Sequence, residues 1–440
     1  MTALIDRTLS AETQGFDHER TPLPRTHNCA LARIRYDLGW DSAIAHHVDS
    51  YVVSRMDLRR DSLPAALEPL VMDQPVGHHA AHRFAVGELI ARPRETDRRM
   101  LRPDQFKRIV TDRGPIHPRT GRFYPKGILT GVPGIIAADR TAFRVLSSKE
   151  GLLLVDLAHP LANKPLDLAL TIEAAWTERE RRGEGCTDVV ELLTANGPGM
   201  QGRADDRPTD FWSDLPFARL DPRPDSTFYG QPRFVDHIDR YAIAAISTLY
   251  DRLIAGTMGN TPLRVLDLMA SWHSHLPAVI TDTAEVTGLG MSQAELDANP
   301  ILARRVVHDL NQDPRLPFSD AAFDAVICTV SVEYLIDPFA VLRDIARVLR
   351  PGATIIITFS NRWFPPKAIA IWGALHEFER PGLVLEYLSE SGCYTDLNTW
   401  SLRGLPRPAD DQYADRLPLS DPVHAVWATR GPDSDDKGAH

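Results

Sequence analysis

From Thr261 onward, short apolar runs alternate with helical patterns, and this alternation restricts the chain more than any other feature. The runs centre on Arg264 to Leu268, Glu285 to Leu289, Arg305 to Asp309, Asp324 to Cys328 and Ala353 to Phe359. Runs that short and that apolar suit strands buried on both faces. Strands separated by helices suit a mostly parallel sheet with crossover connections, an α/β architecture. Ligands of such sheets sit outside the carboxyl ends of the strands. Function is therefore expected at Asp267, Gly290, Asp309 and Ser331, which end four of the runs.

A chain of 440 residues is long for one core, so more than one domain is expected. The net charge of −10 argues against broad binding to a phosphate backbone, and no nucleic-acid partner is expected. Cys29, Cys186, Cys328 and Cys393 are scattered without a C-x-x-C pair, which suggests a reducing compartment. The first residues lack the apolar core of a signal peptide, and no run approaches the roughly 20 apolar residues that span a bilayer. A cytoplasmic protein without membrane contact is expected, its oligomeric state open.

Residues 1–24 read as a flexible arm. A β-rich part is expected over 25–176, from Tyr51-Val-Val53, Arg83 to Ile90, Phe143 to Leu146, Leu152 to Asp156 and the alternating Leu166 to Ile172. The stretch Val155-Asp-Leu-Ala-His-Pro-Leu-Ala-Asn-Lys-Pro-Leu166 resembles the closing motif of FKBP-type prolyl isomerases of the SlyD-like branch. Ala158 and Asn163 depart from that motif, and the residues that line the isomerase pocket are not found. The resemblance implies an N-terminal FKBP-like α+β domain that serves as scaffold. On the residues alone, His159-Pro160 simply shapes a turn. Residues 177–225, with the charge run Glu178 to Arg182 and several Pro-Gly turns, form a connector.

Over 226–430 the pattern starts with an amphipathic helix through Ile238, Ala242, Ala245, Leu249 and Leu253, with Asp236 as N-cap and Gly256 as stop. Later helices are expected from about Pro366 to Phe378 and Leu383 to Ser391, with a last strand over Val423 to Ala428 and a polar tail over 431–440. The order Ser331-Val-Glu-Tyr-Leu335, Pro338 and Arg347-Val-Leu-Arg-Pro-Gly352 resembles the class I S-adenosylmethionine-dependent methyltransferases, a Rossmann-like fold. It is closer still to a bacterial and plant methyltransferase-like subfamily. That likeness lies in Leu266-Asp-Leu-Met-Ala-Ser-Trp-His-Ser-His-Leu-Pro277, Gly288-Leu-Gly-Met-Ser292 and Phe359-Ser-Asn-Arg-Trp-Phe-Pro-Pro-Lys-Ala-Ile369.

The resemblance implies S-adenosylmethionine as cofactor, held by Asp267, Met269, Ser271, Ser274, Gly290, Met291, Asp309, Leu310 and Ser331. Two departures stand out. The loop after the first strand, Met269 to His275, has no glycine, and Gly290 stands where an acid usually takes the ribose hydroxyls. Candidate catalytic groups are His237, His273, Glu333 and Tyr334. Tyr229, Arg233, Asn361, Arg362 and Lys367 are candidates for the acceptor. His273 and His275 alternate, but two ligands without a third do not make a metal site, so none is expected. The favoured expectation is methylation of a small molecule. The rivals are a catalytically silent binding or scaffold protein and, last, a prolyl isomerase or chaperone.

Overall fold

The computed structural model describes residues 26, 31–111, 114–149, 151–177, 186–255 and 262–432. The arm over 1–24, the charge run at 178–182, Gly256 and the tail beyond 432 lie outside the described residues.

The first part of the chain supplies strands β1 (Leu31–Asp41), β2 (Ala45–Asp57), β3 (His79–Phe84), β4 (Arg98–Leu101), β5 (Val110–Thr111), β6 (Gly114–Pro115), β7 (Phe123–Pro125), β8 (Ala142–Lys149), β9 (Leu152–Asp156) and β10 (Leu166–Trp176). Short helices α1 (Glu68–Val71), α2 (Val189–Thr194) and α3 (Asp225–Phe228) interrupt and follow them. Then come α4 (Arg240–Ile254), β11 (Leu263–Leu268), α5 (Ala278–Thr281), β12 (Ala284–Gly290), α6 (Gln293–Ala298), β13 (Leu302–Val307), β14 (Phe323–Thr329), α7 (Pro338–Val348) and β15 (Leu349–Phe359). The chain closes with α8 (Ala370–Ala374), α9 (Glu379–Ser391), β16 (Tyr394–Arg403) and β17 (Val423–Arg430).

One sheet of eleven strands runs through the molecule in the order β13-β12-β11-β14-β15-β17-β16-β2-β1-β10-β3. The five strands from β13 to β15 are parallel, and β17 is antiparallel to both of its neighbours. The order reverses between β11 and β14, the switch point at which open α/β sheets bind ligands. Successive residues face opposite ways, so Val265, Ile327 and Ile356 pack under α4 with Ala242, Ile246 and Leu249. Leu266, Val326 and Ile355 pack on the other face under α7 and α9 with Val341, Leu342, Ile345 and Leu388. Helices cover both faces, which is why the central runs Val265 to Leu266, Ala325 to Cys328 and Ile355 to Ile357 are apolar on both sides.

The expected division at residue 176 is not a division of the sheet. Strand β2 pairs in parallel with β16, from Ala45 opposite Leu397 to Tyr51 opposite Arg403. The N-terminal antiparallel strands β2, β1, β10 and β3 therefore extend the parallel sheet. A second, four-stranded sheet (β4-β9-β8-β7) has its own core of Phe106, Tyr124, Phe143, Val145 and Val155. It docks on α9 through Arg122, whose Nε donates to buried Glu379 at 2.9 Å. His159 serves the turn between β9 and β10. Its Nδ1 accepts from Leu161 N and its Nε2 donates to Thr194 O.

Other expectations are corrected locally. The N-cap of α4 is Asp239, not Asp236, because the Asp239 carboxylate accepts from Tyr241 N and Ala242 N. The helix expected from Pro366 shrinks to α8, since two prolines and a buried lysine occupy its first turns and the chain resumes as α9 at Glu379. Strand β16 was not expected at all; its Thr-, Ser- and Asn-rich run lacks an apolar signature. Strand β13 ends at Val307, so Asp309 lies past it on the following loop.

Candidate functional site

The carboxyl ends of β11 to β14 open into one cleft enclosing about 820 Å³, part of it open to solvent. Of the residues singled out in the sequence, Tyr229, Arg233, His237, Met269, Ser271, Gly290, Met291, Asp309, Leu310, Ser331 and Tyr334 line it.

The first loop achieves with Met269 what a glycine usually does. Met269 sits at φ +59°, in the left-handed region that side chains disfavour. Its neighbour Ala270 donates its N–H to Leu289 O at 2.8 Å, which draws the loop onto the end of β12. A side chain at Gly290 would put its Cβ 2.2 Å from Ala270 O. Gly290 is thus required by close backbone approach and leaves no room for an acid. An acid in the cleft lining comes from α6: Glu295 Oε1 accepts from Arg233 N at 2.7 Å and Oε2 accepts from Ser271 Oγ at 2.6 Å. A second backbone strain lies opposite, where β-branched Val330 adopts φ +48° at the end of β14.

Beneath this loop Asp267 is fully buried, and its Oδ2 has no partner. Burial pushes its carboxyl up to about 7, against the hydrogen bond from Ser274. On the cleft side, the Arg233 guanidinium lies 4.5 Å from the Phe228 ring and 5.4 Å from Phe364. Its Nη2 donates to Phe228 O at 3.0 Å, while Nη1 is buried without a partner. Phe364 forms an aromatic wall with His237 at 5.1 Å and Tyr334 at 6.1 Å between ring centres. The Tyr334 hydroxyl accepts from Phe364 N at 2.9 Å and keeps its own proton to donate. Burial, then the charge of Arg233, lowers the pKa of His237, so the imidazole is neutral near pH 7.

Several expected residues lie elsewhere. Ser274 is clamped behind the cleft, accepting from Asn299 Nδ2 at 2.8 Å. His273 is exposed outside it, against Asp236 Oδ1 at 3.1 Å. Glu333 is buried behind the lining with both carboxyl oxygens unpartnered. Burial raises its pKa to about 8, against the pull of Arg380. Lys367 is fully buried, its Nζ donating to Arg223 O at 2.7 Å beside the Asp225 carboxylate at 3.2 Å, so it anchors a loop and binds no acceptor. Arg362 donates to Asp421 at 3.0 Å, and exposed Asn361 does not line the cleft.

Sequence reasoning missed Glu295, Asp225, Asn311 and Phe364, all in the lining. Glu295 had a signal: Ser292-Gln-Ala-Glu295 is a capping-box pattern directly after a strand end. Ser292 does cap α6, its Oγ accepting from Glu295 N. Asn311 had none, because its role is to tie loops: Nδ2 donates to Asp225 Oδ2 at 2.7 Å and to Tyr334 O at 2.9 Å.

Residues 271–357 match the family described as "Methyltransferase domain". A demethylmenaquinone methyltransferase of Mycolicibacterium paratuberculosis is 34% identical over 97 residues, 21% of this chain and 40% of that protein. The 27-O-demethylrifamycin SV methyltransferase of Amycolatopsis mediterranei is 34% identical over 124 residues, 26% of this chain and 44% of that protein. The chain thus spans less than half the length of these curated relatives. A crystal structure of a SAM-dependent methyltransferase from Archaeoglobus fulgidus is 16% identical with a TM-score of 0.32, covering 43% of this chain and 94% of that one. Among the described residues, no helix is long and apolar enough to cross a membrane. Residues 271–357 thus match a methyltransferase domain within the sheet that opens into the switch-point cleft, and that family indicates S-adenosylmethionine as the cofactor.

Proposed function

We propose that this chain methylates a small-molecule acceptor in the cleft at the ends of β11 to β14. The observation that carries the reading is two buried, unsatisfied groups of opposite character, Arg233 Nη1 in the cleft lining and Asp267 Oδ2 near the end of β11 beneath the first loop. Buried polar atoms without partners are costly, and a ligand that completes them recovers that cost. Arg233 Nη1 suits a carboxylate, and Asp267 suits the neighbouring ammonium of the same amino-acid group. Glu295, Ser292 and Asp309 are the polar groups left for ribose and base on the β12 and β13 side. When bound, the cofactor supplies an electrophilic methyl group.

The residues of this chain then position an acceptor and manage its proton. Phe364, Tyr334 and His237 form an apolar wall with polar tips, suited to a flat or partly apolar molecule. Orientation in line with the methyl group does most of the catalytic work in such a reaction. An acceptor hydroxyl or amine also has to lose a proton, and neutral His237 is the base placed to accept it. Tyr334 O–H donates to the acceptor and holds it. The connector and the N-terminal strands serve as scaffold in this reading.

Calorimetric titration with S-adenosylmethionine and S-adenosylhomocysteine tests it. Saturable binding is expected, weakened at least tenfold by Arg233→Gln and by Asp267→Asn. Absence of binding at millimolar ligand would overturn the proposal and favour a silent scaffold.

A further inference from the structure

Two elements build the rim of the cleft, the segment Tyr229–Asp239 that leads into α4 and the loop that follows β11. They are tied at one end by Glu295, which accepts from Arg233 N on the first and from Ser271 Oγ on the second. A few residues further along both elements, three metal-ligating side chains converge. Asp236, His273 and His275 each offer one ligand atom, and these atoms lie within 4.8 Å of one another.

The local backbone is arranged to make this happen. His275 adopts φ +57°, a conformation that turns the loop back on itself at a non-glycine residue. The turn brings the His273 and His275 rings to 4.2 Å between centres. Trp272 Nε1 donates to Val235 O at 3.3 Å, holding the loop against the segment beside Asp236. The His275 Nδ1 is buried and has no partner, although a buried imidazole nitrogen ordinarily finds one. Backbone strain and an orphaned nitrogen at one spot are what a ligand site without its ligand looks like.

We propose that Asp236, His273 and His275 bind a divalent transition metal of the zinc class, clasping the Tyr229–Asp239 segment to the loop after β11. Two imidazoles and one carboxylate suit zinc, cobalt or nickel, whereas calcium and magnesium demand a shell of oxygens. Neutral imidazole is the ligating form. The three atoms must close by about an ångström to share an ion at a bond length of roughly 2.0–2.1 Å. Asp236 and His273 are free to do so, both being exposed at the surface. A fourth position is left to water. The site lies outside the cleft lining, so the metal acts on the shape of the rim and not on the reacting atoms. The proposal is independent of which cofactor the cleft holds.

The test is calorimetric titration of the chelator-stripped full chain with zinc chloride, followed by cobalt chloride for its visible absorption. One equivalent is expected to bind, with magnesium unable to compete. Asp236→Asn and His275→Asn are each expected to weaken binding at least tenfold, asparagine being chosen at 275 because it tolerates a left-handed backbone. His46→Ala, at the separate His46–Asp41 pair, is expected to leave zinc binding unchanged. Circular dichroism of each variant separates loss of the site from loss of the fold. Failure to bind micromolar zinc, binding that survives when Asp236→Asn and His275→Asn are combined, or equal competition by magnesium would each overturn the proposal.

Discussion

Asp49 and Asp267 are both buried aspartates on strands of the same sheet, yet their surroundings are opposite. Asp49 stands where the antiparallel extension joins the parallel sheet, on β2 across from Ser401 of β16. Its carboxylate accepts from Trp40 Nε1 at 3.1 Å, Ser401 Oγ at 2.9 Å and Gln201 Nε2 at 3.1 Å. Asp267 ends a parallel strand and keeps Oδ2 unpaired. Burial raises both carboxyl pKa values, but only at Asp49 do several protein donors work against it. The difference teaches where this fold stabilises itself and where it waits for a ligand. At Asp49 the donors come from three sides, Trp40 from antiparallel β1, Ser401 from parallel β16 and Gln201 from the segment after α2. Parallel strands send all their carboxyl ends to one rim, where loops must supply the partners.

The largest expected effect is Asp49→Ala. It strands three buried donors at about 1–3 kcal/mol each, or roughly 3–9 kcal/mol of unfolding free energy in urea. Asp267→Ala, with one protein donor to lose, is expected to cost less than half as much. Equal costs would break the contrast.

Glu333 sharpens it through pH. A carboxyl at about 8 in the folded chain, against an ordinary value of 4.5, holds its proton more tightly when folded. Stability is then unaffected below about pH 4.5 and falls as pH rises through 8, by on the order of 4 kcal/mol. Glu333→Gln removes the fall, so its melting temperature is expected to match the parent at pH 4.5 and exceed it at pH 9. A pH-independent difference would contradict this.

Gly290→Ala comes next. Its Cβ meets a backbone oxygen, so the first loop must move, at about 1–3 kcal/mol and with S-adenosylmethionine affinity reduced more than tenfold. Unchanged affinity would mean that the loop does not shape the cleft. Met269→Gly is the smallest. It relieves a left-handed strain of about 1–2 kcal/mol, and added unfolded-state freedom offsets roughly half of that. A slight rise in melting temperature is expected, and a fall would show that the thioether packs usefully.

Much of the parallel sheet was legible because it is built from local signals. The runs at Leu263, Phe323 and Ala353 needed only an apolar pattern and turn residues at their ends. Strand β16 was not legible, since Asn398, Thr399 and Ser401 look like loop until β2 and β17 pair with them on either side. The site divided in the same way. Ser271, Asp309 and Ser331, each just past a strand, lie in the cleft lining. Among the long cations Arg233 lines the cleft, whereas Lys367 and Arg362 turned to carboxylates and carbonyls that sequence order does not reveal.

By itself the sequence determined the parallel strands and the loop that follows Asp267, because periodicity and strand-end position are properties of neighbouring residues. Only the tertiary structure decided that the N-terminal strands continue the same sheet, that Glu295 joins Arg233 to Ser271 in the cleft lining, and that Asp236 meets His273 and His275. Each of these joins residues far apart in the chain. Their meeting depends on packing and on which buried groups find partners, and no local pattern encodes that.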